Sequence, residues 1–461
     1  MQDMTKVVIV GGGPGGYEAA LVGAQLGAEV TVVERDGLGG SAVLTDCVPS
    51  KTLIATAEVM NQVDESYDLG VRIGPEHTRV SVDIDVVDRR VKKLALNQSQ
   101  DIDKRLRAEG VTIIPGTGRL TANDSVTVAN GDGTEDVRLP ADVVLVATGA
   151  HPRVLPSAEP DGERILTWEQ VYELDELPAR LIVVGSGVTG AEFASAYNAL
   201  GVDVVLVSSR DRVLPGEDAD AAEVIEDVLR RRGMTVLSRA RANTVERDGS
   251  AVRVTLADRS TVVGSHCLLA VGSIPNTSDL GLTEAGVELD DRGFIKTDRV
   301  SRTTARGVYA AGDCTGILML ASVAAMQGRI AMWHALGDAV APLDLKSVAS
   351  NVFTDPEIAT VGWSQQAIDD HEIEAMQVTL PLAGNARAKM QGISDGFVKL
   401  FCRPGTRIVV GGVVVAPRAS ELIFPVSLAV RLHLTVDQLA NAFTVYPSMT
   451  GSIAEAARRL H

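Results

Sequence analysis

Lys6-Val7-Val8-Ile9-Val10-Gly11-Gly12-Gly13-Pro14-Gly15-Gly16-Tyr17-Glu18-Ala19-Ala20-Leu21 predicts a buried strand, a glycine turn and a helix in immediate succession. The spacing of Gly11, Gly13 and Gly16 is GxGxxG. The first glycine permits a tight turn, the second lets backbone amides approach a pyrophosphate at the helix N-terminus, and the third lets helix pack on strand. A second apolar run, Glu29-Val30-Thr31-Val32-Val33, ends in Glu34. A carboxylate there is placed to hold the ribose hydroxyls of an adenosine. The stretch therefore predicts a parallel, Rossmann-like α/β domain that binds a dinucleotide.

The same pattern returns at Leu181-Ile182-Val183-Val184, followed by Gly185-Ser186-Gly187-Val188-Thr189-Gly190 and the helical Ala191-Glu192-Phe193-Ala194. Two such turns imply two different dinucleotides. The next strand, Asp203-Val204-Val205-Leu206-Val207, ends in Ser208-Ser209-Arg210 rather than in an acid. Hydroxyls and an arginine can accept a 2′-phosphate that a carboxylate would repel, which favours NADPH or mixed use over strict NADH. The competing reading of Arg210 is a solvated side chain in a βα loop. Two further strands run into glycine turns, Val143-Val144-Leu145-Val146-Ala147-Thr148-Gly149 and Gly307-Val308-Tyr309-Ala310-Ala311-Gly312-Asp313. Asp313 is either a ligand for ribityl hydroxyls or pyrophosphate, or an ordinary turn aspartate.

The length of 461 residues allows about three domains, and a 45% hydrophobic content allows each a core. A net charge of -17 without a long Lys/Arg block argues against nucleic acid or anionic lipid as partner. Four scattered cysteines, Cys47, Cys267, Cys314 and Cys402, are too few for a disulfide framework. No run approaches the roughly twenty apolar residues of a membrane span, and the start lacks a signal-peptide core. The expectation is a cytoplasmic protein with no integral membrane segment and no metal site.

In order along the chain stand GxGxxG with Glu34, the paired glycines before Cys47-Val48-Pro49-Ser50-Lys51, Gly116-Thr117-Gly118, Ala147-Thr148-Gly149, the second glycine turn, Gly272-Ser273-Ile274-Pro275-Asn276, and Ala311-Gly312-Asp313. A C-terminal region carries Val352-Phe353-Thr354-Asp355-Pro356-Glu357. This order resembles the flavoprotein disulfide reductases, the family of dihydrolipoamide dehydrogenase and glutathione reductase, over the whole chain. The resemblance implies FAD in the first site and NADPH or NADH in the second. It also implies a discontinuous FAD domain (1–150 and 275–345), a nicotinamide domain (151–274) and a homodimerising α+β domain (346–461). Gly11, Gly13, Gly16, Glu34, Gly40, Ala42, Lys51, Gly118, Thr148, Gly149 and Asp313 would then line FAD. Gly185, Gly187, Gly190, Ser208, Arg210 and Gly272 would line the nicotinamide dinucleotide. Lys51 and Glu192 match the family's ion pair beside the reactive flavin nitrogen, where a cation favours the anionic reduced ring.

The stretch Gly39-Gly40-Ser41-Ala42-Val43-Leu44-Thr45-Asp46-Cys47 departs from the family. Disulfide-reducing members carry a second cysteine where Ala42 stands, so the relay from flavin to dithiol has no first sulfur here. Near the C-terminus, Thr444-Val445-Tyr446-Pro447-Ser448-Met449-Thr450-Gly451 has Tyr446 for the family's histidine and Gly451 for its glutamate. Tyrosine, titrating near pH 10, is a poor base for thiol chemistry. An acceptor must then meet the flavin itself. The resemblance implies that Ala42 would leave space for it, that Cys47 would lie beside the ring, and that Tyr446 of the partner subunit would supply a flat surface. That pocket suits a planar small-molecule quinone. Competing readings are a pyridine nucleotide transhydrogenase, a lone peroxidatic Cys47, and a flavin-bound regulatory scaffold. For Cys47 and Tyr446 a packing role stands beside the catalytic one.

Overall fold

A computed structural model describes residues 4–72, 74, 80–129 and 136–461. The chain forms two compact units, one of Met1–Ser50, Asp88–Arg153 and Gly272–Asp344, the other of Lys51–Val87, Val154–Val271 and Leu345–His461.

The first unit is built on a five-stranded sheet in the order Val308–Ala310, Val143–Val146, Lys6–Val10, Glu29–Glu34, Thr112–Pro115. Every pairing in it is parallel. Its central strands are apolar at nearly every position because both faces are covered. Val7 and Ile9 point into a core shared with Ala19, Ala20 and Leu21 of the helix Pro14–Gln25. Val8 and Val10 point the other way, against Leu120, Val126 and Val128 of a three-stranded antiparallel layer. The helix Pro14–Gln25 packs closely on Ala321–Ala335, and a Cβ at Gly328 would overlap the Gly15 carbonyl. That close approach fixes where the first turn's amides point.

The second unit repeats this plan. Its parallel sheet runs Thr235–Leu237, Asp203–Val207, Arg180–Val184, His266–Leu269, Ile165–Thr167. An antiparallel layer of Ala242–Asp248, Ala251–Leu256 and Thr261–Gly264 covers one face through Val245, Val252 and Val254. The unit also holds a five-stranded antiparallel sheet of Ala349–Val352, Glu357–Gly362, Val409–Ala416, Phe397–Cys402 and Met376–Pro381. The helices Phe424–Arg431 and Gly451–Arg458 pack on it. Within this unit Lys399, 2% exposed, is held by Asp218 and Asp220 at 2.8 and 2.7 Å. Asp218 also caps the helix Ala219–Arg231. Among the described residues no helix is long and apolar enough to cross a membrane.

Candidate active site

In the first unit the turn is shaped by its glycines. Gly11 has φ +102°, and a Cβ there would overlap the Ala147 carbonyl; a Cβ at Gly16 would overlap the Gly11 carbonyl. Gly13 is the helix N-cap, and a Cβ there would come no closer than 4.0 Å, to the Gly40 Cα. Glu34 reaches back to this turn. One carboxylate oxygen accepts from the Gly12 amide at 2.5 Å and the other from Asp36 and Gly37 at 2.7 and 3.1 Å. Beside it lies a pocket of about 430 Å³ walled by Glu34, Gly37, Ser99 and Lys104 among others. An open helix N-terminus with a carboxylate at the end of the second strand fits an adenine dinucleotide such as FAD.

Gly40 and Ala42 stand in the short helix Gly40–Leu44, with Ala42 partly exposed. Cys47, also partly exposed, begins the helix Cys47–Glu65. Thr148 and Asn276 clasp each other: the Thr148 hydroxyl donates to the Asn276 carbonyl at 2.7 Å and the Asn276 amide to the Thr148 carbonyl at 2.9 Å. Gly149, at φ +70°, and Gly272, at φ +98°, both face open space. Gly118 is buried against Val10 and Val33, so its small size serves packing between strands. The Asp313 turn is held by Gln327, 1% exposed, whose side-chain Oε1 accepts from the Gly312 amide at 2.8 Å. Burial, with the Asp46 carboxylate nearby, pushes Asp313 up to about 6.

In the second unit Lys51 and Glu192 meet. The Lys51 ammonium lies 2.7 Å from one Glu192 oxygen, while the other accepts from the Phe353 amide at 2.8 Å. Glu192 is 5% exposed and Lys51 is 31% exposed. The ammonium also sits 4.8 Å from the centre of the Phe353 ring. Each carboxylate oxygen thus has a partner, and the lysine side chain stays partly exposed. Phe353 was visible in sequence only as part of a motif; its amide and ring give it a specific task.

The second glycine turn repeats the first. Gly185 has φ +111°, a Cβ at Gly190 would overlap the Gly185 carbonyl, and the N-cap Gly187 faces open space. A pocket of about 140 Å³ opens here at the carboxyl ends of three adjacent strands, bounded by Gly185, Val207, Ser209, Arg241 and Leu269. This is where an open parallel sheet receives a dinucleotide, and the residues fit one. Ser208 is fully buried: its hydroxyl pairs with Ser186 at 2.7 Å and accepts from the Arg210 amide at 3.1 Å. Ser209, rather than Ser208, therefore lines the pocket, and Arg210 is exposed off its wall. Arg241 escapes a sequence reading because it stands over thirty residues beyond the loop it joins.

Tyr446 is 86% exposed, and Phe443 and Val445 nearby in the chain are exposed as well. Cys267, Cys314 and Cys402 are buried. Burial pushes the Cys267 thiol far up and Cys314 to about 11, so neither is a ready nucleophile.

Residues 5–328 match the model of the pyridine nucleotide-disulphide oxidoreductases, and residues 348–457 that family's dimerisation domain. The chain is 54% identical over 468 residues to a Mycobacterium tuberculosis protein named NAD(P)H dehydrogenase (quinone), covering 99% of this chain and 94% of that one. It is 33% identical to dihydrolipoyl dehydrogenase 2 of Haloarcula marismortui, covering 98% and 96%. The crystal structure of LpdA from Mycobacterium tuberculosis superposes with a TM-score of 0.94 at 53% identity, covering 99% and 100%.

Proposed function

The chain belongs to the pyridine nucleotide-disulphide oxidoreductase family and is an FAD-dependent NAD(P)H oxidoreductase; on that premise we propose that it reduces a quinone directly, as a homodimer, without a dithiol relay. The observation that carries this reading is Ala42. It is partly exposed in the helix Gly40–Leu44, five residues before Cys47, and it has no sulfur. A disulfide cannot form between these positions, so an acceptor has to be one that needs none. The name of the 54% identical relative supports a quinone in that role.

The residues divide the work. Gly11, Gly13, Gly16, Glu34, Gly40, Thr148 and Asp313 would hold FAD, the open helix N-terminus at Gly13 being suited to a pyrophosphate. Gly185, Gly187 and Gly190 would hold the nicotinamide dinucleotide. Bound FAD supplies the two-electron carrier between hydride donor and acceptor. Glu192 holds the Lys51 ammonium in place, and the Phe353 amide holds Glu192 through its other oxygen. A fixed cation of this kind favours negative charge on whatever group it faces. Ala42 leaves room, and Cys47 and Tyr446 of the partner subunit would wall the acceptor pocket.

The test is a pair of anaerobic half-reactions. NADPH should bleach the flavin, and a benzoquinone or naphthoquinone should then restore its colour faster than oxygen does. Lipoamide and glutathione disulfide should give no turnover. Quinones no faster than oxygen, or turnover with either disulfide, refutes the reading.

A further inference from the structure

We propose that Arg241, assisted by Ser209, selects the nicotinamide dinucleotide that carries a 2′-phosphate, NADPH. This rests on the reading of the second glycine turn as the nicotinamide dinucleotide site, and on nothing about the acceptor.

Sheet register brings Arg241 to this pocket. The strand Thr235–Leu237 pairs in parallel with Asp203–Val207, with Val207 opposite Leu237. The loops leaving the two strands must therefore emerge side by side at the same end. They are stitched together there: the Arg239 amide donates to the Arg210 carbonyl at 2.8 Å, and the Ala240 amide to the Ser208 carbonyl at 2.7 Å. These bonds carry Arg241 to the rim of the pocket beside Ser209 and Gly185.

The pocket's charge then decides between the two nicotinamides. In a dinucleotide fold the end of the second strand faces the adenosine ribose, and an acid there takes its 2′-hydroxyl. No carboxylate lines this pocket; Arg241 is its one charged wall residue, with the hydroxyls of Ser157 and Ser209 and the amide of Asn243 as polar company. Asp211, the acid next to Arg210 in the first loop, is engaged by Arg239 at 2.7 Å. Arg241 itself is exposed and makes no side-chain hydrogen bond or ion pair among the described residues. A guanidinium in that state can close on a phosphate with two parallel bonds without first breaking another pair.

Calorimetry on the FAD-loaded protein, titrated with 2′,5′-ADP and with 5′-AMP, tests this without an acceptor. The unsubstituted protein should bind 2′,5′-ADP the more tightly. Arg241→Ala should weaken 2′,5′-ADP by about 10- to 100-fold, the range of a hydrogen-bonded charge, and leave 5′-AMP unchanged. Arg241→Lys should recover part of the loss. Anaerobic flavin bleaching should shift in parallel, with KM for NADPH rising and that for NADH holding. Equal binding of the two nucleotides by the unsubstituted protein overturns the proposal. So does equal loss of both in Arg241→Ala, or a larger change in preference from Arg210→Ala. Failure of quinones to reoxidise the flavin would refute the acceptor reading and leave these outcomes intact.

Discussion

Asp313 is held where its charge is costly. Burial, and the Asp46 carboxylate beyond that, raise it to about 6 from the usual carboxylate range. The folded state therefore binds this proton more tightly than the unfolded one. Stability from this group is complete below about pH 4, falls as pH rises through about 6, and stays lost above it. The shift corresponds to at most about 3 kcal/mol at neutral pH. Asp313→Asn should accordingly raise the melting temperature of the FAD-stripped protein at pH 7.5 and leave it unchanged near pH 4. The same variant should bind FAD more weakly, because a carboxylate accepts from ligand hydroxyls more strongly than an amide does. Thermal unfolding at the two pH values checks the first statement and FAD retention on dilution the second. A variant no more stable at pH 7.5 would mean that the carboxylate is already compensated in the fold.

The glycine turns separate two jobs that one motif combines. A Cβ at Gly16 would overlap the Gly11 carbonyl, whereas one at Gly13 would meet nothing closer than 4.0 Å. Gly16→Ala should thus disrupt the fold, by the 1–3 kcal/mol typical of overpacking or more. Gly13→Ala should fold normally and lose FAD, because its methyl group enters the volume a pyrophosphate needs. Circular dichroism melting together with the flavin absorbance of purified protein distinguishes the two. Equal stability of the variants would show that the turn can relax around Gly16. Elements of this kind were legible in sequence because both the strand pattern and the turn are local. Glu34 was legible for the same reason, since the end of an apolar run marks a strand's end. Ser208 turns its hydroxyl inward to Ser186 instead of toward the pocket, because the direction of a strand's last residues depends on the loop that follows. Arg241 was not legible at all, because its place follows from a parallel register between strands and two backbone bonds between loops.

At the scale of the whole molecule, one exposed apolar cluster lies near the C-terminus. Phe443 is fully exposed, Val445 is 79% exposed and Tyr446 is 86% exposed, within the segment matching the family's dimerisation domain. Burying a large apolar side chain is worth about 1.5–3 kcal/mol, and a twofold axis counts each residue twice. Such a cluster is costly in a monomer and decisive in a dimer. Replacing Phe443→Asp and Val445→Asp together should leave the monomer's core intact, since neither side chain is buried in it. It should place four charges in the interface, where burial without partners is prohibitive. Sedimentation at micromolar concentration should then report a monomer. If Tyr446 has to cross between subunits to complete the acceptor pocket, quinone turnover should fall with dimer content, while NADPH should still bleach the flavin. A doubly substituted protein that sediments as a monomer and keeps full quinone turnover would remove Tyr446 from the acceptor site and assign its exposure to assembly alone.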